Sequence, residues 1–372
     1  MSNLKQTKSG FKVIGKVSKI DKDFAWKQDQ AKKGKREGET FRSLRFGVKT
    51  SETNEITVSM FDYEPTEVFM WNSDKKEKDS NYKGDRFPFG VWEEQQEELR
   101  EQGYAVLQTR VGLTYDENGK IQSKGLPSYV ASQEIYNNIE NGDSVVVEGE
   151  IRYSKYKNAK DEEVEQKSFI IKKLFKLKDI DFEDAKFEEV SYFEQEIVFV
   201  DADIDKKEGK AYVTGRTIDF MDNFHDTQMI VNFKNEQGEI DKDMVKLTEA
   251  FAKKFKFGDL VTVYGNVVNR VIVKEVEDND DDKEKDLFAE FGGKKKPTHA
   301  QSYTAKTYIS EMSIEGIDGY KEKHYTEEDF VKEDIVEDDT LDFGGKGKKN
   351  TNPFDNDSEG GAIEISEDDL PF

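Results

Sequence analysis

Two stretches of this chain interleave aromatic rings with cations. One carries Trp26, Lys27, Lys32, Lys33, Lys35 and Arg36, then Phe41, Arg42 and Arg45; the other carries Arg152, Tyr153, Lys155, Tyr156, Lys157 and Lys160. Such sets suit a polyanion with flat faces, because cations neutralise phosphates and each ring stacked on a base contributes about 1–3 kcal/mol. A third group, Asp201, Asp203 and Asp205, alternates, so an extended strand would set three carboxylates on one face as a divalent-metal clamp requires. It runs directly into Lys206-Lys207-Glu208-Gly209-Lys210, the composition of a turn, and a solvated edge is the commoner meaning of such an acid run. The chain has no Walker phosphate loop, no His-Glu-x-x-His and no Cys, and its three His (His225, His299, His324) lie far apart. No catalytic residue, metal or cofactor is expected.

The end of the chain carries a different chemistry. Asp368-Asp369-Leu370-Pro371-Phe372 combines acids, an apolar ring and a carboxylate, with Pro371 holding Leu370 extended. That combination suits capture by a pocket with a basic rim on another protein. The net charge of −23 is unevenly spread, with −11 in residues 321–372 and −7 in residues 275–291. The remaining body is close to balanced and leaves room for basic surfaces. With 37% charged residues and a mean hydropathy of −0.87, a good part of the chain is expected to be solvated. There is no apolar leader and no long apolar run, so neither export nor a membrane span is expected, and the expected location is the cytoplasm.

The elements that must position these groups come as a repeat. Val13-Ile14-Gly15-Lys16 is echoed by Val213-Thr214-Gly215-Arg216, each with a Phe nine residues beyond the Gly (Phe24, Phe224). Gly142-Asp143-Ser144-Val145-Val146-Val147-Glu148-Gly149 is echoed by Gly258-Asp259-Leu260-Val261-Thr262-Val263-Tyr264-Gly265. Each of these blocks follows a short amphipathic helix candidate, near Tyr129–Ile139 and Met244–Phe255, and leads to an alternating strand, Lys167–Leu177 and Ser302–Ile314. Strands, a helix, a Gly-Asp turn and two more strands predict a five-stranded barrel of the OB type. The fold class expected is therefore mainly β: two tandem OB-fold barrels, the first with an inserted subdomain, plus a disordered acidic C-terminal tail. The first barrel is expected over 1–180 with an insert at about 62–128, the second over 190–318 with an acidic loop at about 275–298, and the tail over 319–372. The insert carries a helix candidate, Val91–Gln102, and a hairpin candidate from Tyr104–Leu113 turning at Asn118-Gly119. Its Trp71, Lys75, Lys76, Tyr82, Arg86 and Trp92 read equally as a continued ligand path or as an apolar heart with a charged skin. Phe291-Gly292-Gly293-Lys294 recurs as Phe343-Gly344-Gly345-Lys346, with no firm physical account.

The helix followed by Gly-Asp-x-Val-x-Val-x-Gly, the stretch Gly149-Glu150-Ile151-Arg152-Tyr153-Ser154-Lys155-Tyr156, and the terminal Asp-Asp-Leu-Pro-Phe resemble the bacterial and bacteriophage single-stranded-DNA-binding protein family. That resemblance implies an OB barrel with Tyr156 at a stacking position. It also implies coating of exposed DNA in replication, recombination or repair, and an acidic tail that recruits partner enzymes through its tip. The chain departs from the family by carrying two barrels, which leaves its oligomeric state open. In an OB barrel the groove crosses strands 2–3 between the loops joining strands 1–2 and 4–5. There the first barrel offers the DNA-binding set Trp26, Lys27, Lys32, Lys33, Lys35, Arg36, Phe41, Arg42, Arg45, Arg152, Lys155, Tyr156 and Lys157. Phe46 and Phe61 are expected in the core, and the pattern along Val145–Tyr153 turns Tyr153 inward. The second barrel is poorer: its first loop holds Asp219, Asp222 and Asp226, leaving Arg216, Arg270, Lys306, Tyr264, Tyr303 and Tyr308 as a secondary surface. Two other readings stand beside this one, an acidic protein-binding hub without DNA affinity and a metal-dependent enzyme built on Asp201, Asp203 and Asp205.

Overall fold

The computed structural model describes residues 4–32, 35–157, 163–235, 238–276 and 303–331. Lys33, Lys160, most of the acidic loop and residues 332–372 with the terminal Asp368, Asp369, Leu370, Pro371 and Phe372 lie outside these residues, as do the side chains of Tyr156 and Lys157.

The chain begins with β1 (Ser9–Ser18), β2 (Trp26–Gln30), β3 (Thr40–Lys49) and β4 (Glu55–Tyr63). The insert follows as β5 (Glu67–Asn72), α1 (Ser73–Lys78), β6 (Asp85–Pro88), α2 (Phe89–Glu101), β7 (Tyr104–Ala105), β8 (Thr109–Tyr115) and β9 (Ile121–Leu126). Then come α3 (Ser128–Asn138), β10 (Ser144–Lys157) and β11 (Glu163–Lys176). The second half is β12 (Val190–Asp205), β13 (Lys210–Ile218), β14 (Phe224–Asn232), α4 (Lys242–Lys253), β15 (Leu260–Val276) and β16 (Tyr303–Lys321).

The pairings close two barrels. In the first, β1 pairs with β3, β3 with β4, β4 in parallel with β11, β11 with β10, and β10 with β1. In the second, β12 pairs with β13, β13 with β14, β14 in parallel with β16, β16 with β15, and β15 with β12. Each ring contains a single parallel pair, between its third and fifth barrel strands, which is the OB arrangement. β1 and β12 pair antiparallel from Ser9 opposite Gln195 to Ile14 opposite Val190, fusing the barrels into one sheet.

The sequence echoes have local causes. Gly142 and Gly258 both adopt φ near +90°, and the Asp after each accepts the backbone N–H three residues before it, at 2.9 Å. Gly149 and Gly265 both sit at a β-bulge, where a Cβ would run into the carbonyl of the facing strand. Inside, Val13, Val145 and Leu174 are buried in an apolar cluster that continues to Ile197, Val213 and Val263 of the second barrel.

Two expectations are corrected. Tyr104 and Ala105 pair with β5, and the insert hairpin is β8–β9 closed by Asp116 and Gly119, so its first strand starts later than the apolar pattern suggests. The tail does not begin at 319: β16 runs to Lys321, and Tyr325 and Phe330 are buried against Val198, Ile218 and Leu260. Aromatic residues beyond the last strand give that segment apolar area to bury, which composition averaged over the acidic end conceals.

Candidate nucleic-acid interface

The expected first loop is largely a strand. β2 pairs with β3 from Trp26 opposite Leu44 to Gln30 opposite Thr40, so Trp26 and Lys27 ride on an extension of the barrel. β3 buries Leu44, Phe46 and Val48, and β4 buries Ile56, Val58 and Met60. Residues of opposite parity therefore face out: Phe41, Ser43 and Arg45 on β3, Ser59, Phe61 and Tyr63 on β4, and Lys27 on β2.

On that outer face three rings cluster. Phe61 lies 5.3 Å from Phe41 and 5.2 Å from Tyr63, edge-on to the latter. Cations surround them: Lys27 Nζ sits 5.8 Å from the Phe41 centroid, and the Arg36 guanidinium lies 3.9 Å from that of Tyr63. Farther along, exposed Arg45 lies 5.9 Å from the ring of exposed Phe24. Lys32 and Lys35 are exposed at the hairpin end. Acids temper the patch: Lys27 pairs with Asp29 at 3.4 Å and Arg36 with Glu39 at 2.5 Å. Burial pushes the Asp62 carboxyl up, against its bond from Tyr63 N–H and the pull of Arg36 and Lys172.

This geometry reorders the predicted set. Phe41 is 7% exposed beneath Phe61 and Tyr63, so it supports the platform and is not one of its open faces. Trp26 shares the inward face with Leu44 and stacks at 5.2 Å on Tyr136 of α3, which covers one side of its ring. Arg42 is also turned inward, donating to the Tyr129 carbonyl at 3.2 Å and to Gln28 at 2.9 Å. Phe61, expected in the core, faces out. Tyr63 joins it unforeseen, although parity with Thr57 and Ser59 in the alternating segment was a readable signal for both.

The strand 4–5 hairpin is less open than its composition suggests. Arg152 donates from Nε to Glu150 at 2.6 Å, and Lys155 pairs with Glu165 at 3.0 Å. Tyr153 is turned inward as expected, its hydroxyl 3.6 Å from Met312 Sδ of the second barrel. In that barrel Arg216 is held by both oxygens of Asp226 and packed among Phe224, Phe257 and Phe330, a structural role that removes it from a binding surface. In the insert, Trp92 is buried, Trp71 packs on Tyr82, and Lys75, Tyr82 and Tyr104 all bond Asp85. These contacts favour the apolar heart with a charged skin over a ligand path through those residues. Asp201 and Asp203 are exposed, whereas Asp205 accepts the N–H groups of Lys207 and Glu208 in a turn. Among the described residues no group of His, Asp or Glu is arranged to hold a metal ion, and no helix is long and apolar enough to cross a membrane.

The class these features define is a mainly β protein of two fused OB-type barrels, with an aromatic and cationic patch on the outside of the first. The chain belongs to the YorF family, whose model matches residues 90–345. That family is not the one its motifs resemble. A comparison with curated proteins finds no match. Among solved structures, a deletion mutant of the single-stranded DNA binding protein from Thermus aquaticus is similar over 71% of this chain and 88% of that one, at 11% identity and a TM-score of 0.34. Similarity at that score is too slight to carry a function across.

Proposed function

We propose that this protein binds single-stranded DNA, largely without sequence preference, on the outer face of its first barrel. The observation that carries the reading is the Phe61–Tyr63 platform, backed by Phe41 and flanked by Lys27, Arg36 and Arg45. Rings without a hydrogen-bond code, set among cations, suit any base on a phosphate chain. A single strand fits better than a duplex, whose bases are stacked away from such rings. The protein then coats and protects exposed strands in replication, recombination or repair, in the cytoplasm and without catalysis, while its terminal Asp-Asp-Leu-Pro-Phe recruits partner enzymes.

The test is fluorescence anisotropy of a labelled oligo-dT at low and moderate salt, with duplex of equal length as competitor. Tight, salt-sensitive binding that duplex fails to displace is expected. No binding at low salt, from the full chain and from a tail-truncated variant alike, moves the function to protein interaction through the same barrels.

A further inference from the structure

Beside the aromatic platform, a cleft of about 720 Å³ opens between the insert and β11. Met70, Trp92 and Val106 form its apolar floor, and Arg100, Arg110, Lys124, Lys172 and Lys173 line it with no carboxylate among the lining residues. Sheet geometry puts these cations there. β11 bulges opposite Glu148 and Gly149, and Lys172 is the extra residue, so two consecutive lysines reach the same cleft. At the corresponding bulge of the second barrel the extra residue is Glu315, which accepts from Asn266.

Arg100 and Lys124 each have a carboxylate of their own, Glu97 at 2.7 Å and Glu134 at 2.8 Å, but the lysines of β11 share theirs with other cations. Lys12 and Lys173 share Glu148, and Arg152 and Lys172 share Glu150. Arg110 stands opposite Lys173 in the parallel β8–β11 register, which brings a second cation to the same stretch of the cleft. Its guanidinium donates twice to Ser123 Oγ, at 3.1 and 3.0 Å, and has no carboxylate partner among the described residues. The cleft adjoins the strand that carries the platform, Gln108 of its lining donating to Asp62 of β4 at 2.9 Å. β4 and β11 run parallel with Ser59 opposite Ile170, and two residues further along each strand come Phe61 and Lys172.

We infer that this cleft is a second phosphate-binding site, into which a single strand leaving the Phe61–Tyr63 platform runs its backbone along Lys172, Lys173 and Arg110. The inference rests on the single-strand reading above and extends its footprint onto the insert. The buried Trp92 leaves no open ring in the cleft, so it grips phosphates and leaves stacking to the barrel face.

The test compares wild type with Arg110→Ala/Lys173→Ala, which leaves Glu148 paired with Lys12. Two dT oligonucleotides are used, one of about 8 nucleotides, within the span of one OB groove, and one of about 30. The double variant should bind the short oligonucleotide like wild type and the long one about tenfold more weakly at low salt. Its salt slope for the long one should fall by about 1.4, the value for two lost single-strand contacts. Ser123→Asp, which sets a carboxylate against Arg110, should reproduce this length-dependent loss. Unchanged affinity and slope at both lengths in both variants would overturn the cleft while leaving the platform standing, and so would equal loss at both lengths. If wild type binds neither oligonucleotide, the single-strand reading itself falls.

Discussion

The side-chain oxygen of Asn54 accepts the backbone N–H of Asn269 at 2.6 Å, across the seam between the two barrels. The same side chain donates to the Val267 carbonyl at 3.1 Å and to Glu189 at 2.8 Å, while Asn269 donates back to the Glu55 carbonyl at 2.8 Å. Asn54 is 5% exposed, so water cannot replace these partners. Together with the β1–β12 pairing, this fixes where the platform sits relative to the second barrel.

Asn54→Leu is therefore expected to lower stability by about 2–4 kcal/mol, because it strands the Asn269 N–H and the Val267 carbonyl in a buried seam. Urea unfolding checks this. A variant within experimental error of wild type would show that the seam is not a point of stability.

Phe61→Ala and Tyr63→Ala should each weaken oligo-dT binding by about 1–3 kcal/mol with little effect on fold. Trp26→Ala should do the reverse, costing about 2–3 kcal/mol of stability through its lost stack on Tyr136 and core packing. Anisotropy and thermal unfolding on the three variants separate the roles. A Trp26 variant that folds normally yet loses DNA would restore Trp26 as the platform.

Lys167 lies opposite Tyr153 on the β10–β11 ladder, its ammonium 5.9 Å from the Phe169 centroid. Burial pushes its pKa down to about 8 from the ordinary 10.5, and pushes the Tyr153 phenol up. Below about pH 8 both folded and unfolded chains hold the Lys167 proton, and the folded state bears the desolvation cost. Between about 8 and 10.5 the unfolded chain binds more protons, so this group makes stability rise with pH. Lys167→Met should be more stable than wild type at neutral pH and should lose that part of the rise. Urea titrations across the window decide it, and identical pH slopes would contradict the shift.

Residues 332–372 carry a net charge of −9, and we propose that they compete with phosphate for the same cations. Truncation after Val331, which spares the packed Phe330, should raise oligo-dT affinity at low salt and converge with the full chain at high salt. Equal affinities at low salt would rule out that competition.

The repeated Gly-Asp turns and the glycines beside passing carbonyls were legible in the sequence because each is a local backbone requirement that few residues meet. The alternation of Ile56, Val58 and Met60 likewise determined that Phe61 and Tyr63 share a face opposite to theirs. The sequence alone did not decide what that face looks onto, nor that Trp26 turns inward. Its orientation follows from pairing with Leu44 across the hairpin, a register that only the closed barrel sets. The Lys172 bulge and the sharing of Glu148 and Glu150 between strands are of the same kind. They depend on which strand lies beside which, and that is decided by tertiary packing of segments far apart in the chain.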